Sequence, residues 1–266
     1  MSRIEHTLEP LRQRGAKALI TYLTAGDPDL ETSERVIHAL VESGVDLLEI
    51  GFPFSDPMAD GPTIQAAAER ALAAGTTLRG VLDLVARVRC HTNVPIVLMG
   101  YYNPVFRYGA AAFARDAARA GVDGLLLVDL PPEEAGELHP QLQAAGIDLI
   151  TLLAPTTPEA RRIRLARQGE GFLYYVSMTG VTGTQKVDAA AIAAAVNRVR
   201  LESPVPVAVG FGVTTPEEAR AVAQFADAVV VGSALVQLIA AHGRSPELLG
   251  EVQAFARALK AAITSN

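Results

Sequence analysis

The amino-acid sequence predicts a closed (β/α)8 barrel, and three observations predict it. Short apolar, β-rich runs recur along the chain, usually roughly 22–33 residues apart, with alanine-rich helical stretches between them. The runs are nearly continuous rather than alternating, which suits parallel strands covered on both faces by helices. Eight such runs, each followed by helix, fill 266 residues, the size at which (β/α)8 barrels form one domain. The competing doubly wound sheet would carry a G-x-G-x-x-G turn after its first strand. The chain reads "TAGDPDL" there, so that fingerprint is absent.

The elements follow in order. An N-terminal helix, residues 4–14, is expected to plug the barrel ahead of the first strand, "ALITYL" (18–23). "DLLEIG" (46–51) is the second strand. The interval from there to "PIVLMGY" (95–101) is the longest in the chain and has room for an additional helix. "GLLLVDL" (124–130), "DLITLLA" (148–154) and "FLYYVS" (172–177) are strands four to six, and "VPVAVGFG" (205–212) and "DAVVVGS" (227–233) complete the set. The intervening segments carry apolar residues at helical spacing. In "TTPEE", Thr215 is placed as an N-cap, Pro216 at the first helical position and Glu218 as the partner of a capping box. No compositional break marks a linker, so residues 1–266 read as a single barrel domain.

Composition narrows the function. The chain is 50% hydrophobic and 20% charged, with 23 basic against 29 acidic residues. No basic stripe points to nucleic acid, and no apolar run approaches the ~18 residues of a membrane span. The first residues lack the apolar core of a signal peptide. The single cysteine, Cys90, excludes an internal disulfide framework and fits the cytoplasm.

Barrel enzymes place their chemistry at the C-terminal ends of strands. His6, His38, His91, His139 and His242 all fall in helices or ahead of strands, so no metal site is expected. Lys17, Lys186 and Lys260 lie outside the strands, which disfavours a Schiff-base lysine. Carboxylate, tyrosine, asparagine and glycine remain. Glu49 shares a face of strand two with Leu47 and Gly51. If Leu48 and Ile50 pack on helices, Glu49 points into the barrel mouth, where desolvation raises its pKa toward neutrality. A structural reading, in which it caps a loop, stands equally. Asp56 and Asp60, in "FSDPMADGPT", both read first as turn residues, and local chemistry does not choose between them.

"VGFGVTTPEE" and "VGSALVQ" follow strands seven and eight, where barrels often bind phosphate on backbone N–H groups. Gly210, Gly212 and Gly232 permit close approach, and Ser233 offers a hydroxyl. "TGVTGT" (179–184) has the composition of a lid. Tyr101 is placed at the pocket, and Asn103-Pro104 as a turn. Asp129 is a further candidate, and Pro131-Pro132-Glu133-Glu134 reads as a helix start. Tyr174 and Tyr175 must face opposite ways, one into the barrel.

"LEIGFPFSDPMADGPTIQ" resembles the signature of the tryptophan synthase alpha chain family. "TYLTAGDP", "GYYNPVFRYG", "GLLLVDLPPEE", "YYVSMTGVTGT", "PVAVGFGV" and "VVVGSALV" extend the resemblance over nearly the whole chain. It implies a metal-free lyase that cleaves indole-3-glycerol phosphate to indole and glyceraldehyde 3-phosphate in tryptophan biosynthesis. Glu49 would be the general acid/base, and Asp60 would bond the indole N–H. Tyr174 would be the inward tyrosine, and Tyr22 and Tyr101 would contact substrate. Gly183, Phe211, Gly212, Gly232 and Ser233 would surround the phosphate, with Thr182 in the lid. Tyr22 departs from the phenylalanine common in the family. The resemblance also implies a beta-chain partner in an α2β2 assembly that holds the pyridoxal phosphate, with no cofactor on this chain and with residues 53–62 facing that partner. Alternatives are another metal-free phosphate-handling barrel, a stand-alone indole-releasing lyase and a non-catalytic activating subunit.

Overall fold

The computed structural model describes residues 2–176, 189–210 and 212–264. Its strands are β1 (Ala18–Thr24), β2 (Leu47–Gly51), β3 (Ile96–Gly100), β4 (Gly124–Leu127), β5 (Asp148–Leu149), β6 (Thr151–Leu153), β7 (Leu173–Val176), β8 (Val207–Gly210) and β9 (Ala228–Val231). They form one sheet in the order β5-β4-β3-β2-β1-β9-β8-β7-β6, and every pairing is parallel. The outermost members, β5 and β6, are two pieces of the expected fifth strand. They flank Ile150, whose N–H donates to the Leu125 carbonyl at 2.9 Å. The strand changes partners there, β5 pairing with β4 and β6 with β7, so the sheet runs nearly round.

Helices return the chain outside the strands. Leu30–Glu42 follows β1, Tyr102–Tyr108 and Ala110–Ala120 follow β3, and His139–Ala144 follows β4. Glu159–Arg167, Ala189–Glu202 and Pro216–Ala223 follow β6, β7 and β8, and Ser233–His242 and Leu248–Thr264 close the chain. The long interval after β2 holds two helices, Pro62–Ala73 and Leu78–Arg89. The capping box at Thr215 and Glu218 forms as predicted. One local reading changes: Asn103-Pro104 is no turn but the first turn of Tyr102–Tyr108, where proline's missing N–H costs no helical hydrogen bond. Pro131-Pro132-Glu133-Glu134 does start a helix, the 3-10 helix Pro132–Glu137. Among the described residues, no helix is long and apolar enough to cross a membrane.

Strand alternation divides the apolar residues into two cores. Leu48, Ile50, Leu98 and Leu125 face the helices, while Ile20, Leu47, Val97, Leu126, Ile150 and Phe172 fill the barrel. The N-terminal helix, Arg3–Gln13, inserts Ile4, Leu8 and Leu11 into that inner cluster and plugs its lower end. Burying such side chains stabilises by about 1.5–3 kcal/mol each. Ser2 caps this helix and also donates to Asp148 at 2.7 Å.

The lower, N-terminal rim carries a recurrent device. Acidic residues ahead of strands accept a backbone N–H from a neighbouring strand: Asp46 from Leu19, Asp123 from Ile96, and Asp227 from Val207. Cations close the charge, with Lys260 on Asp46, Arg89 and Arg3 on Asp123, and Arg200 on Asp227. These carboxylates hold strand register, each bonded to a backbone N–H and to a cation. Lys17, which donates to the Ala226 carbonyl, lies on the same face, so two of the three lysines are far from the mouth.

Candidate active site

Inward residues below the middle of the barrel are fully buried, whereas Met99, Val128, Leu152 and Tyr174 near its C-terminal end are only partly buried. The barrel therefore opens at that end, and a small cavity there is lined by Tyr22, Asp60, Ile64, Met99, Tyr101 and Val128, among others.

Glu49 sits below this opening on β2, between Tyr22 of β1 and Val97 of β3. It is 0% exposed, and neither carboxylate oxygen has a hydrogen-bond partner. Thr21 Oγ1, on the opposite face of β1, is the other buried side-chain polar atom so placed among the described residues. Burial without compensation disfavours the charged form and pushes the Glu49 pKa up to about 8. The inward placement expected from Leu48 and Ile50 is observed, and the loop-capping role is not.

Two tyrosines complete the walls. The Tyr22 hydroxyl bonds the Thr24 hydroxyl at 3.1 Å and lies over Gly51, where an added Cβ would meet it at 2.2 Å. The Tyr174 hydroxyl lies over Gly210 at the same 2.2 Å. Glycine is required at both positions because a tyrosine occupies the space of its side chain. Tyr174 joins the interior cluster and Tyr175 the outer one, as strand alternation requires. Burial raises the pKa of Tyr22 and Tyr174 above the ordinary tyrosine range, so both stay neutral, and each lies within electrostatic reach of Glu49.

The loop after β2 separates its two aspartates. Asp56 is exposed and accepts the Ser55 hydroxyl at 2.6 Å. Asp60 lines the cavity, its carbonyl held by Gln65 Nε2 at 2.9 Å. Burial raises its carboxyl to about 6, and the Tyr101 hydroxyl opposes that rise. Asp129 instead accepts the Tyr102 N–H at 2.7 Å and caps a helix. Gln65 and Thr24 were not singled out from sequence. The signal for Gln65 was a glutamine in the first turn behind "DGP", placed to reach back to the carbonyls ahead of its own helix.

Of the glycine-rich loops, the one after β9 reaches the site at Tyr22. Gly212 has φ +55°, a left-handed conformation that side chains resist. Gly232 precedes Ser233–His242 with no side-chain cap, and a Cβ added to it would meet the Tyr22 side chain at 3.3 Å. The open N-terminus of that helix suits an anion. Thr182, Gly183, Phe211 and the lid assigned to 179–184 lie outside the described residues. No cluster of three His, Cys, Asp or Glu residues among the described residues is placed to hold a metal.

Comparisons with known proteins agree along the whole chain. A family model described as tryptophan synthase alpha chain matches residues 8–264. The alpha chain of Geobacter sp. (strain M21) is 56% identical over 260 residues, covering 98% of this chain and 97% of the relative. That of Geobacter sulfurreducens is 55% identical, with 99% of each covered. Among solved structures, tryptophan synthase subunit alpha from Legionella pneumophila superposes with a TM-score of 0.91 at 42% identity, covering 99% and 98%. An aminoacrylate-bound tryptophan synthase from M. tuberculosis superposes at 0.88 with 38% identity, covering 99% and 100%.

The geometry predicts how stability varies with pH. Folded Glu49 keeps its proton to about 8, while the unfolded chain releases it near 4.5. The folded state thus binds the extra proton, so Glu49's contribution is most favourable below 4.5 and declines as pH rises toward 8. Between those limits the loss is on the order of 3–4 kcal/mol. Glu49→Gln removes this dependence, so its melting temperature relative to the wild type should increase steadily from pH 5 to pH 8. A difference that does not change with pH rejects the assignment.

Proposed function

This chain belongs to the tryptophan synthase alpha chain family, and from that premise we propose that Glu49 and Asp60 carry its chemistry. The reaction is a carbon–carbon lyase step of tryptophan biosynthesis, in which indole-3-glycerol phosphate yields indole and glyceraldehyde 3-phosphate. One observation supports the assignment above the others: a fully buried carboxyl with both oxygens unengaged lies beneath the cavity.

The steps balance with these two groups. Glu49, protonated near neutral pH, gives its proton to C3 of the indole ring. The ring becomes an indolenine cation whose N1–H faces the Asp60 carboxylate, and that anion offsets the positive charge. Glu49, now a carboxylate in a dry site, takes the proton of the hydroxyl on the carbon attached to C3. The O–H electron pair forms the aldehyde carbonyl, the C3 bond to that carbon breaks, and its pair returns to the ring. Indole leaves with hydrogen at C3, and Glu49 is protonated again. Tyr22, Tyr101 and Tyr174 line the apolar path for the ring. Backbone N–H groups at Gly212, Gly232 and Ser233 hold the phosphate, with Gly183 and Phe211 beside it and Thr182 in the lid.

Alpha chains of this family carry no cofactor of their own; pyridoxal phosphate belongs to the beta chain. We read the chain as working with that beta chain in an α2β2 assembly, in the cytoplasm. Met58 in the loop after β2 and Phe106 after β3 are 82% and 61% exposed, an apolar pair in the connections that follow adjacent strands. Such residues on the barrel mouth suit a partner surface.

Indole release from indole-3-glycerol phosphate tests the assignment. Glu49→Gln should lower kcat by on the order of 10²–10⁴-fold with KM changed little, and Asp60→Asn should lower it by about 10²-fold or more. Wild-type turnover should fall above pH 8 as Glu49 loses its proton. Full activity in Glu49→Gln removes that residue from the mechanism. Phe106→Asp should weaken stimulation by a beta chain while lone-chain turnover stays within about twofold; unchanged stimulation moves the interface elsewhere.

A further inference from the structure

The loop that carries Asp60 has few bonds of its own: the Asp60 N–H donates to the Pro57 carbonyl at 3.1 Å, and the Met58 N–H to the Asp56 carbonyl at 2.9 Å. It is held instead by side chains from rigid elements. Gln65, in Pro62–Ala73, donates to the carbonyls of Pro57 at 3.3 Å and Asp60 at 2.9 Å. From the other side, Tyr101 follows β3, where it immediately precedes Tyr102–Tyr108, and its oxygen accepts the Ala59 N–H at 2.9 Å. Its ring rests against Phe54 with centroids 5.3 Å apart, and the residue is 3% exposed.

A phenol has one proton to give. Asp60 is the next residue after Ala59 and lines the same cavity as Tyr101. With its oxygen already accepting from Ala59, the Tyr101 O–H is left to serve the neighbouring Asp60 carboxylate. We infer that Tyr101 is a positioning residue, which anchors the loop through Ala59 and donates its hydroxyl proton to the Asp60 carboxylate, fixing that anion toward the substrate. This inference rests on the role of Asp60 given above and extends it to the group that holds Asp60 in place.

The electrostatics agree with the geometry. Burial raises the Asp60 carboxyl, and the Tyr101 hydroxyl counters it. The titratable groups among the described residues that face Asp60 are Tyr101 and, from β1, Tyr22, with Glu49 beyond Tyr22. Among the described residues, no arginine, lysine or histidine contributes to the Asp60 shift. Tyr101 is therefore the neighbour that favours the anion. Removing its O–H leaves burial unopposed, so Asp60 takes up its proton at higher pH.

The test compares kcat against pH for the wild type, Tyr101→Phe and Asp60→Asn, following indole release from indole-3-glycerol phosphate. Phenylalanine keeps the contact with Phe54, so only the hydroxyl is removed. The substrate phosphate itself titrates near 6, so the readout is the displacement between variant and wild type rather than the absolute midpoint. The acid limb of Tyr101→Phe should move to higher pH by on the order of one unit. Its kcat should recover to within about threefold of the wild type at pH 8. An acid limb that does not move, or a loss of equal size at every pH, overturns the inference. If Asp60→Asn turns over at the wild-type rate, the assignment of Asp60 itself falls; if Asp60→Asn is inactive and the Tyr101→Phe limb is unmoved, only the role of Tyr101 falls.

Discussion

A carboxyl group buried without a hydrogen-bond partner is the constraint on which this molecule turns. Leaving such a group unpaired is costly, and proteins ordinarily pair it or place it in water. Here Glu49 has neither, and it responds by holding its proton to about 8. That single departure from good packing supplies an acid that is charged with its proton near neutrality and becomes a strong base once it has given it up. The cost in stability and the catalytic capacity have one origin.

The remainder of the barrel keeps Glu49 in that condition. The plug formed by Ile4, Leu8 and Leu11 closes the lower end of the interior, while the mouth is narrowed by Tyr22 and Tyr174. Those tyrosines fit only because Gly51 and Gly210 present no side chain beneath their hydroxyls. The contrast with the other end is instructive. Asp46, Asp123 and Asp227 accept backbone N–H groups and meet cations, so they stabilise register at the end away from the mouth. Carboxyl groups thus serve two purposes in one barrel, and the difference lies in whether they have partners.

Much of this was legible in the sequence. Continuous apolar runs at regular spacing predicted the parallel barrel, and the positions of Leu48 and Ile50 made an inward-facing Glu49 one of two equal readings, which the structure decides. The break in strand five was not legible, because Ile150 is as apolar as its neighbours and the change of partners depends on closure of the whole sheet. Local chemistry did not separate Asp56 from Asp60, since both precede turn-forming residues; the family resemblance did. The structure adds the burial of Asp60 in a loop held locally by Gln65 and, from 42 residues away in the chain, by Tyr101 on Ala59. Asn103-Pro104 was misread because a proline in the first turn of a helix and a proline in a turn share the same local chemistry. Gly51 carried no signal of its own, and Gly210 was read as a close approach for a ligand, whereas both requirements are set by a tyrosine on a neighbouring strand.

The account stands on the protonation state of Glu49, and that is directly measurable. Carbon-13 labelling of the glutamate side chains, with Glu49→Gln identifying the resonance, permits its carboxyl to be titrated in the unliganded protein. A midpoint near 8, well above every other glutamate, is the expected result. A Glu49 carboxyl that is ionised below pH 6 contradicts the buried, unpartnered state and with it the role of Glu49 as the proton donor.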